Sequence, residues 1–164
     1  MGIQALTHIG ITVSDLERSA TFYCDGLGFT PVTRFETSTD ASARLCEIPG
    51  MELECLFIER DGVRIELMHF KHPGHLGDPE CRPMNRLGLA HLALRVDDLE
   101  GVASTLVQLG AEVRWQTRTG SAETIADVVF LTDPDGVRIE LISLPGDPMT
   151  PLGEPCQSPQ PEGH

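Results

Sequence analysis

Polar and apolar residues alternate near the start of the chain, in His8-Ile9-Gly10-Ile11-Thr12-Val13. A period of two puts Ile9, Ile11 and Val13 on one face of a half-buried strand, and His8 with Leu6, Gly10 and Thr12 on the other. The period then changes. Leu16, Ala20 and Tyr23 recur at helical spacing, and Ser14 with Glu17 three residues on has the form of a capped start. This predicts a helix over Asp15–Leu27, stopped by Gly28 in a left-handed conformation. Three more strands are expected, the last two joined by a turn at Arg60-Asp61-Gly62.

The same order of signals returns. Leu6-Thr7-His8 through Leu16-Glu17 is echoed by Leu89-Ala90-His91 through Leu99-Glu100, 83 positions later. Asp61-Gly62-Val63-Arg64-Ile65-Glu66-Leu67 is identical to Asp135-Gly136-Val137-Arg138-Ile139-Glu140-Leu141, 74 positions later. The offsets differ by nine, so the first half carries an extra loop or strand before its second motif. In the second half Asp97 and Glu100 predict a helix start. Leu99, Ala103 and Leu106 supply its apolar face over Asp98–Leu109, and Gly110 its stop. The fold class is therefore α+β, with two tandem βαβββ modules over residues 1–70 and 87–144. Residues 71–86 are expected to be a linker or lid. Residues 145–164, which hold six of the twelve prolines, are expected to be a disordered tail.

Strand alternation also sorts the candidate chemistry. Val63, Ile65 and Leu67 form an apolar face, and Glu66 points the other way with Arg64 and Met68. His91 and Glu140 repeat the arrangement. His8, Glu66, His91 and Glu140 thus fall on faces that the helices leave open, and they converge if the two sheets curve together. Taken singly, each is an ordinary strand residue. As a matched quartet they make a mixed nitrogen and oxygen site for a divalent ion, with room left in an octahedral shell. Arg64 and Arg138 share the face of the two glutamates, where they pair with those carboxylates, bind an anionic substrate, or serve structure. Arg82 and Arg86 are placed to attract a carboxylate to the entrance. His69, His72 and His75 are read as a solvated loop, because Pro73-Gly74 breaks any helix that would align them.

Composition removes several classes. With 12 basic and 25 acidic side chains the formal charge is −13, which disfavours nucleic acids and anionic membranes as partners. Aromatic residues are only 5%, too few for a large stacking platform. No apolar run reaches bilayer length, and Met1-Gly2-Ile3-Gln4-Ala5-Leu6 lacks the basic start of a secretion signal, so a cytoplasmic protein is expected. Five cysteines without a Cys-x-x-Cys pair support reduced thiols over a zinc ribbon, an iron–sulfur site or a disulfide framework.

On the duplicated module, the histidine of each first strand and the glutamate of each Ile-Glu-Leu strand, the chain resembles the vicinal oxygen chelate superfamily. That family includes glyoxalase I, methylmalonyl-CoA epimerase, extradiol dioxygenases and antibiotic-resistance proteins. The resemblance implies a cup-shaped, open-barrel mixed sheet around one divalent ion (Zn, Ni, Co, Mn, Fe or Mg) held by His8, Glu66, His91 and Glu140. In some members one chain supplies all four ligands; in others two chains share each site, and a homodimer is the expectation here. The implied function is a metal-dependent lyase or isomerase of glyoxalase type, using metal-stabilised enolate chemistry on a small oxygenated metabolite. Glu140 would be the general base and Glu66 the second carboxylate. Arg64, Arg138 and Arg86 are the candidates for substrate binding.

The alternatives are a ring-cleaving dioxygenase using His8, His91 and Glu140, an epimerase, and a non-catalytic binding protein that needs no metal. The segment Met68–His75 differs from the stretch that lines the glutathione site of glyoxalase I, and epimerases commonly carry Gln where Glu66 stands.

Overall fold

The computed structural model describes residues 2–120 and 126–144; the expected disordered tail, 145–164, lies outside the described residues. In the first module β1 (Ile9–Thr12), β2 (Thr30–Thr37), β3 (Glu52–Arg60) and β4 (Val63–His72) form a sheet in the order β1-β4-β3-β2. In the second, β5 (Leu92–Arg95), β6 (Glu112–Thr119), β7 (Asp127–Thr132) and β8 (Arg138–Ser143) form a sheet in the order β5-β8-β7-β6. The first strand of each module lies parallel to its last, with Gly10 opposite Glu66 and Ala93 opposite Glu140. The sheets do not close on one another.

The helices bury the faces their apolar spacing predicts, but each starts one residue later than expected. Helix α1 (Leu16–Ala20) is capped by Asp15, whose side chain accepts the Arg18 N–H, and continues as a π-helical turn over Thr21–Gly26. Asp98 likewise caps α3 (Leu99–Gln108) through the Gly101 N–H. Ser14 does not cap α1 because its N–H and hydroxyl are both given to Asp135 of the other module. Gly28 and Gly110 follow at φ +72° and +98°, the expected left-handed stops.

Two further expectations are corrected. The nine-residue excess of the first module holds a helix, α2 (Asp40–Cys46), rather than a loop or strand. Thr39 caps it, and its Ala43 and Cys46 pack on Met51, Leu53 and Cys55. Seven residues are too few to show a helical period against its neighbours, so only the Thr39–Ser42 cap could have marked it. His69 and His72 are not in a loop: β4 runs through them, opposite Glu54 and Glu52, and the linker begins only at Pro73.

One cluster joins the modules. Ile11, Val13, Ile65 and Leu67 pack with Phe22, Tyr23, Leu99, Ala103 and Leu106, and these with Val129, Leu131, Ile139 and Leu141. The helices are the shared layer: α1 rests on β3 and β4, α3 on β6, β7 and β8, and α3 meets the π-helical turn. Each sheet therefore gives its apolar face to the layer between the modules and turns its other face outward. Polar contacts fix this arrangement. Asp135 accepts from Ser14 N (3.0 Å), Ser14 Oγ (2.5 Å) and Arg18 Nη2 (2.7 Å). The Tyr23 hydroxyl donates to Asp133 Oδ2 at 3.0 Å, with both residues buried. Among the described residues no helix is long and apolar enough to cross a membrane.

Burial, and next the adjacent Asp133 carboxylate, hold the Tyr23 phenol well above its ordinary value. Above about pH 10 the unfolded chain releases this proton while the folded chain retains it, so the tyrosine's contribution to stability falls as pH rises. Tyr23 is the sole tyrosine, so tyrosinate absorbance reads it alone. It should ionise only as the protein unfolds, and titration in the folded state would contradict the buried contact.

The identical heptads give a second comparison. Asp135 is almost enclosed by its partners, whereas its twin Asp61 is 85% exposed and, among the described residues, meets only Arg60. Asp135→Asn should cost about 1.5–3 kcal/mol in urea unfolding, and Asp61→Asn less than about 0.5 kcal/mol. Equal costs would contradict the latch.

Candidate metal centre

Because Ile65 and Leu67 must enter the core, the pleat turns Glu66 to the outward face, and the parallel register sets β1 beside it. His8 Nε2 lies 3.2 Å from Glu66 Oε2, and the other ring nitrogen, Nδ1, is 3.0 Å from the Thr7 hydroxyl. In the second module His91 Nε2 lies 2.9 Å from Glu140 Oε2. The two pairs match in exposure as well as in spacing. The histidine side chains are 36% and 32% exposed, and the glutamates 15% and 20%. Each pair is thus reachable from solvent while its carboxylate is largely shielded.

These spacings suit a divalent ion. Neighbouring ligands in an octahedron with bonds of about 2.1 Å lie about 3.0 Å apart. Both pairs already stand at that separation, with an imidazole nitrogen and a carboxylate oxygen facing each other. Each module supplies two donors, a third of such a shell. Among the described residues no group of three or more metal-ligating side chains comes together. The structure thus brings His8 to Glu66 and His91 to Glu140 but does not join the two pairs within one chain. The outward direction of both faces is the reason.

The surroundings of the pairs repeat too. Phe57, opposite Glu66 on β3, meets His8 edge-on with ring centroids 5.1 Å apart. Phe130, opposite Glu140 on β7, meets His91 edge-on at 5.5 Å. These rings hold the imidazoles on the sheet, and sequence reading missed them. Their signal was present: each Phe precedes its Ile-Glu-Leu glutamate by nine or ten residues across a turn. Phe35 on β2 stacks on Phe57 at 6.1 Å and extends the apolar wall of the first pair. Behind it, burial pushes the Cys55 thiol up to about 12, so this cysteine stays protonated beside Glu66.

Of the roles open to Arg64 and Arg138, pairing with the two glutamates is not the one adopted. Neither Arg64 nor Arg138 pairs with the candidate ligands. Arg64 gives Nε and Nη2 to Glu59 Oε2 at 3.1 and 2.6 Å. Arg138 lies over the Phe130 ring at 5.3 Å and donates Nη2 to the Arg82 carbonyl at 2.8 Å. Glu66 and Glu140 consequently have only their histidines as ion-pair partners among the described residues. Arg82 donates Nη2 to the Leu87 carbonyl at 3.1 Å within the linker, and Arg86 is exposed there too.

Comparison with known proteins identifies the family and the fold. Residues 5–141 match the family described as the Glyoxalase/Bleomycin resistance protein/Dioxygenase superfamily. An uncharacterised protein of Escherichia coli (strain K12) is 32% identical over 143 residues, covering 86% of this chain and 97% of its own. A Synechocystis protein named "Probable lactoylglutathione lyase" is 30% identical over 141 residues, covering 84% of this chain and 93% of its own. Among solved structures, a glyoxalase family protein from Bacillus cereus superposes with a TM-score of 0.75 at 21% identity, covering 87% of this chain and 95% of its own. The fosfomycin resistance protein FosX from Listeria monocytogenes, complexed with Mn(II) and sulfate, superposes with a TM-score of 0.53 at 16% identity, covering 87% and 93%. By the match over residues 5–141, the chain belongs to the glyoxalase, bleomycin resistance protein and dioxygenase superfamily.

Proposed function

We propose that the protein is a divalent-metal-dependent lyase or isomerase of glyoxalase type, acting on a small oxygenated metabolite. Each centre combines His8 and Glu66 of one copy with His91 and Glu140 of a second copy in a homodimer. The observation that carries this reading is the pair of matched imidazole–carboxylate sets, each at ligand spacing and each turned away from the other module. A first half-site on one protomer and a second half-site on its partner would together supply the four donors. When bound, the ion polarises the substrate oxygens and so acidifies the adjacent C–H bond.

The chain's own groups do the rest. Glu140 is the proposed base, and Glu66 the second carboxylate. Among the described residues neither carboxylate is ion-paired to an arginine, and each faces a histidine. The phenylalanines restrict the imidazoles and exclude water from one side of the site. Arg86, with Arg64 at the rim, is the proposed contact for an anionic substrate group. Two imidazoles and two carboxylates accept several first-row divalent ions.

A second reading, a ring-cleaving dioxygenase using His8, His91 and Glu140, draws support from the Phe35–Phe57 wall beside His8. It requires oxygen uptake with ferrous iron and catechols. The presence of Glu66 as a fourth donor favours proton transfer.

Mixing two variants tests the shared centre. His8→Ala and His91→Ala should each bind no ion as pure dimers, because every centre then lacks one imidazole. Co-refolded, they form mixed dimers in which one of the two centres is intact. Metal content and turnover should recover to about one quarter of the wild-type value for random pairing. No recovery, with dimers formed, would rule out a centre shared between copies.

A further inference from the structure

The two histidine–glutamate pairs share their spacing but not their walls. In the first module Thr33 of β2 stands opposite Phe57, and Phe35 stands opposite Cys55, two residues before Phe57 on β3. In the second module the matching positions lie opposite Phe130 and Val128 of β7, and they hold Arg114 and Thr119 of β6. A phenylalanine of one module is thus a threonine in the other, and a threonine is an arginine. The exchange falls on the outward face, one strand beyond the phenylalanine that touches each histidine.

The first wall is aromatic. Phe35 lies nearly parallel to Phe57, with the ring planes 23° apart, and Phe57 in turn meets His8. Phe35 is 43% exposed, so part of the stack is open to a ligand. Leu53, Cys55, Met68 and Phe70 continue the apolar surface along the same face. A flat ring carried by a molecule anchored at His8 and Glu66 finds an offset stacking partner there.

The second wall is cationic. Arg138 of β8 and Arg114 of β6 stand on either side of β7, and both share the outward face with Phe130. The Arg138 guanidinium is held over the Phe130 ring, with one nitrogen fixed by the Arg82 carbonyl. Arg114 is 29% exposed, and its Nη1 lies 4.0 Å from Glu112 Oε1. On a chain of formal charge −13, two guanidinium groups beside His91 and Glu140 concentrate positive charge where an oxyanion can be held by paired N–H donors.

We propose that the substrate carries an aromatic ring at one end and an oxyanion, a carboxylate or a phosphate, at the other. The ring lies on Phe35 and Phe57 of one protomer, and the oxyanion meets Arg114 and Arg138 of its partner. The proposal rests on the shared centre proposed above, in which these two walls come together around His8, Glu66, His91 and Glu140.

Calorimetric titration of the metal-loaded, full-length protein tests it, with 3-phenyllactate, lactate (no ring) and 2-phenylethanol (no anion) as probes. The wild type should bind 3-phenyllactate about tenfold or more tightly than either of the others. Phe35→Ala should weaken 3-phenyllactate about tenfold and leave lactate unchanged. Arg114→Gln should weaken both acids about tenfold and leave 2-phenylethanol unchanged, so the unaffected probe reports an intact fold in each variant. Phenyl phosphate in place of 3-phenyllactate identifies the oxyanion by which of the two binds more tightly. Equal affinity for 3-phenyllactate and lactate in the wild type, or no loss in either variant, would overturn the proposal. Metal content of the same samples keeps the two readings apart, because neither Phe35 nor Arg114 is a donor. A wild type that holds its ion without distinguishing the probes would overturn this proposal alone. One that distinguishes them without holding an ion would support the two walls and overturn the metal centre alone.

Discussion

The structure depends on the parallel pairing of the first and last strands in each module, under the demand that Ile65, Leu67, Ile139 and Leu141 be buried. Once those side chains enter the core, the intervening glutamate has one direction open to it. The register then lays a histidine beside it. Burial of apolar area thus positions the polar pair, and no separate polar interaction is needed to bring the two together. Because the heptad occurs twice, the constraint acts twice and produces two histidine–glutamate pairs of similar spacing and exposure.

The same burial decides where the half-sites face. Each sheet spends its apolar side on a common helix layer, and the Asp135 and Asp133 contacts lock that layer from the second module's hairpin. The half-sites are left on outward faces. On the proposed reading, a chain organised this way would complete a four-donor centre by meeting another copy. The buried Tyr23–Asp133 pair and the Arg34–Glu54–Lys71 network have no place in that chemistry. Arg34 reaches both Glu17 and Glu54, and Lys71 both Glu36 and Glu54, which ties α1 to β2, β3 and β4.

Much of this was legible in the sequence because the repeat made independent signals agree. Alternation around His8 and Glu66 assigned their faces, and the second copy removed the ambiguity that short strands carry. Gly28 and Gly110 marked the helix ends for a local reason, a left-handed stop. Features that depend on distant partners were not legible. Ser14 looked like a cap because nothing nearby shows that Asp135 will claim it. Arg64 and Arg138 looked equivalent, yet one meets a strand neighbour and the other a linker carbonyl. The seven-residue α2 was too short to announce its period, and Pro73 hid the fact that β4 runs on to His72. Phe57 and Phe130 needed the strand register before their contact with the histidines could be seen.

The central claim is that one cation joins His8 and Glu66 of one protomer to His91 and Glu140 of another. A crystal structure of the protein grown with a divalent first-row ion, with the ion located by anomalous scattering, examines it directly. The account predicts a single peak per centre within bonding distance of all four donors, two from each protomer. Peaks elsewhere, with both histidine–glutamate pairs bare, would contradict it.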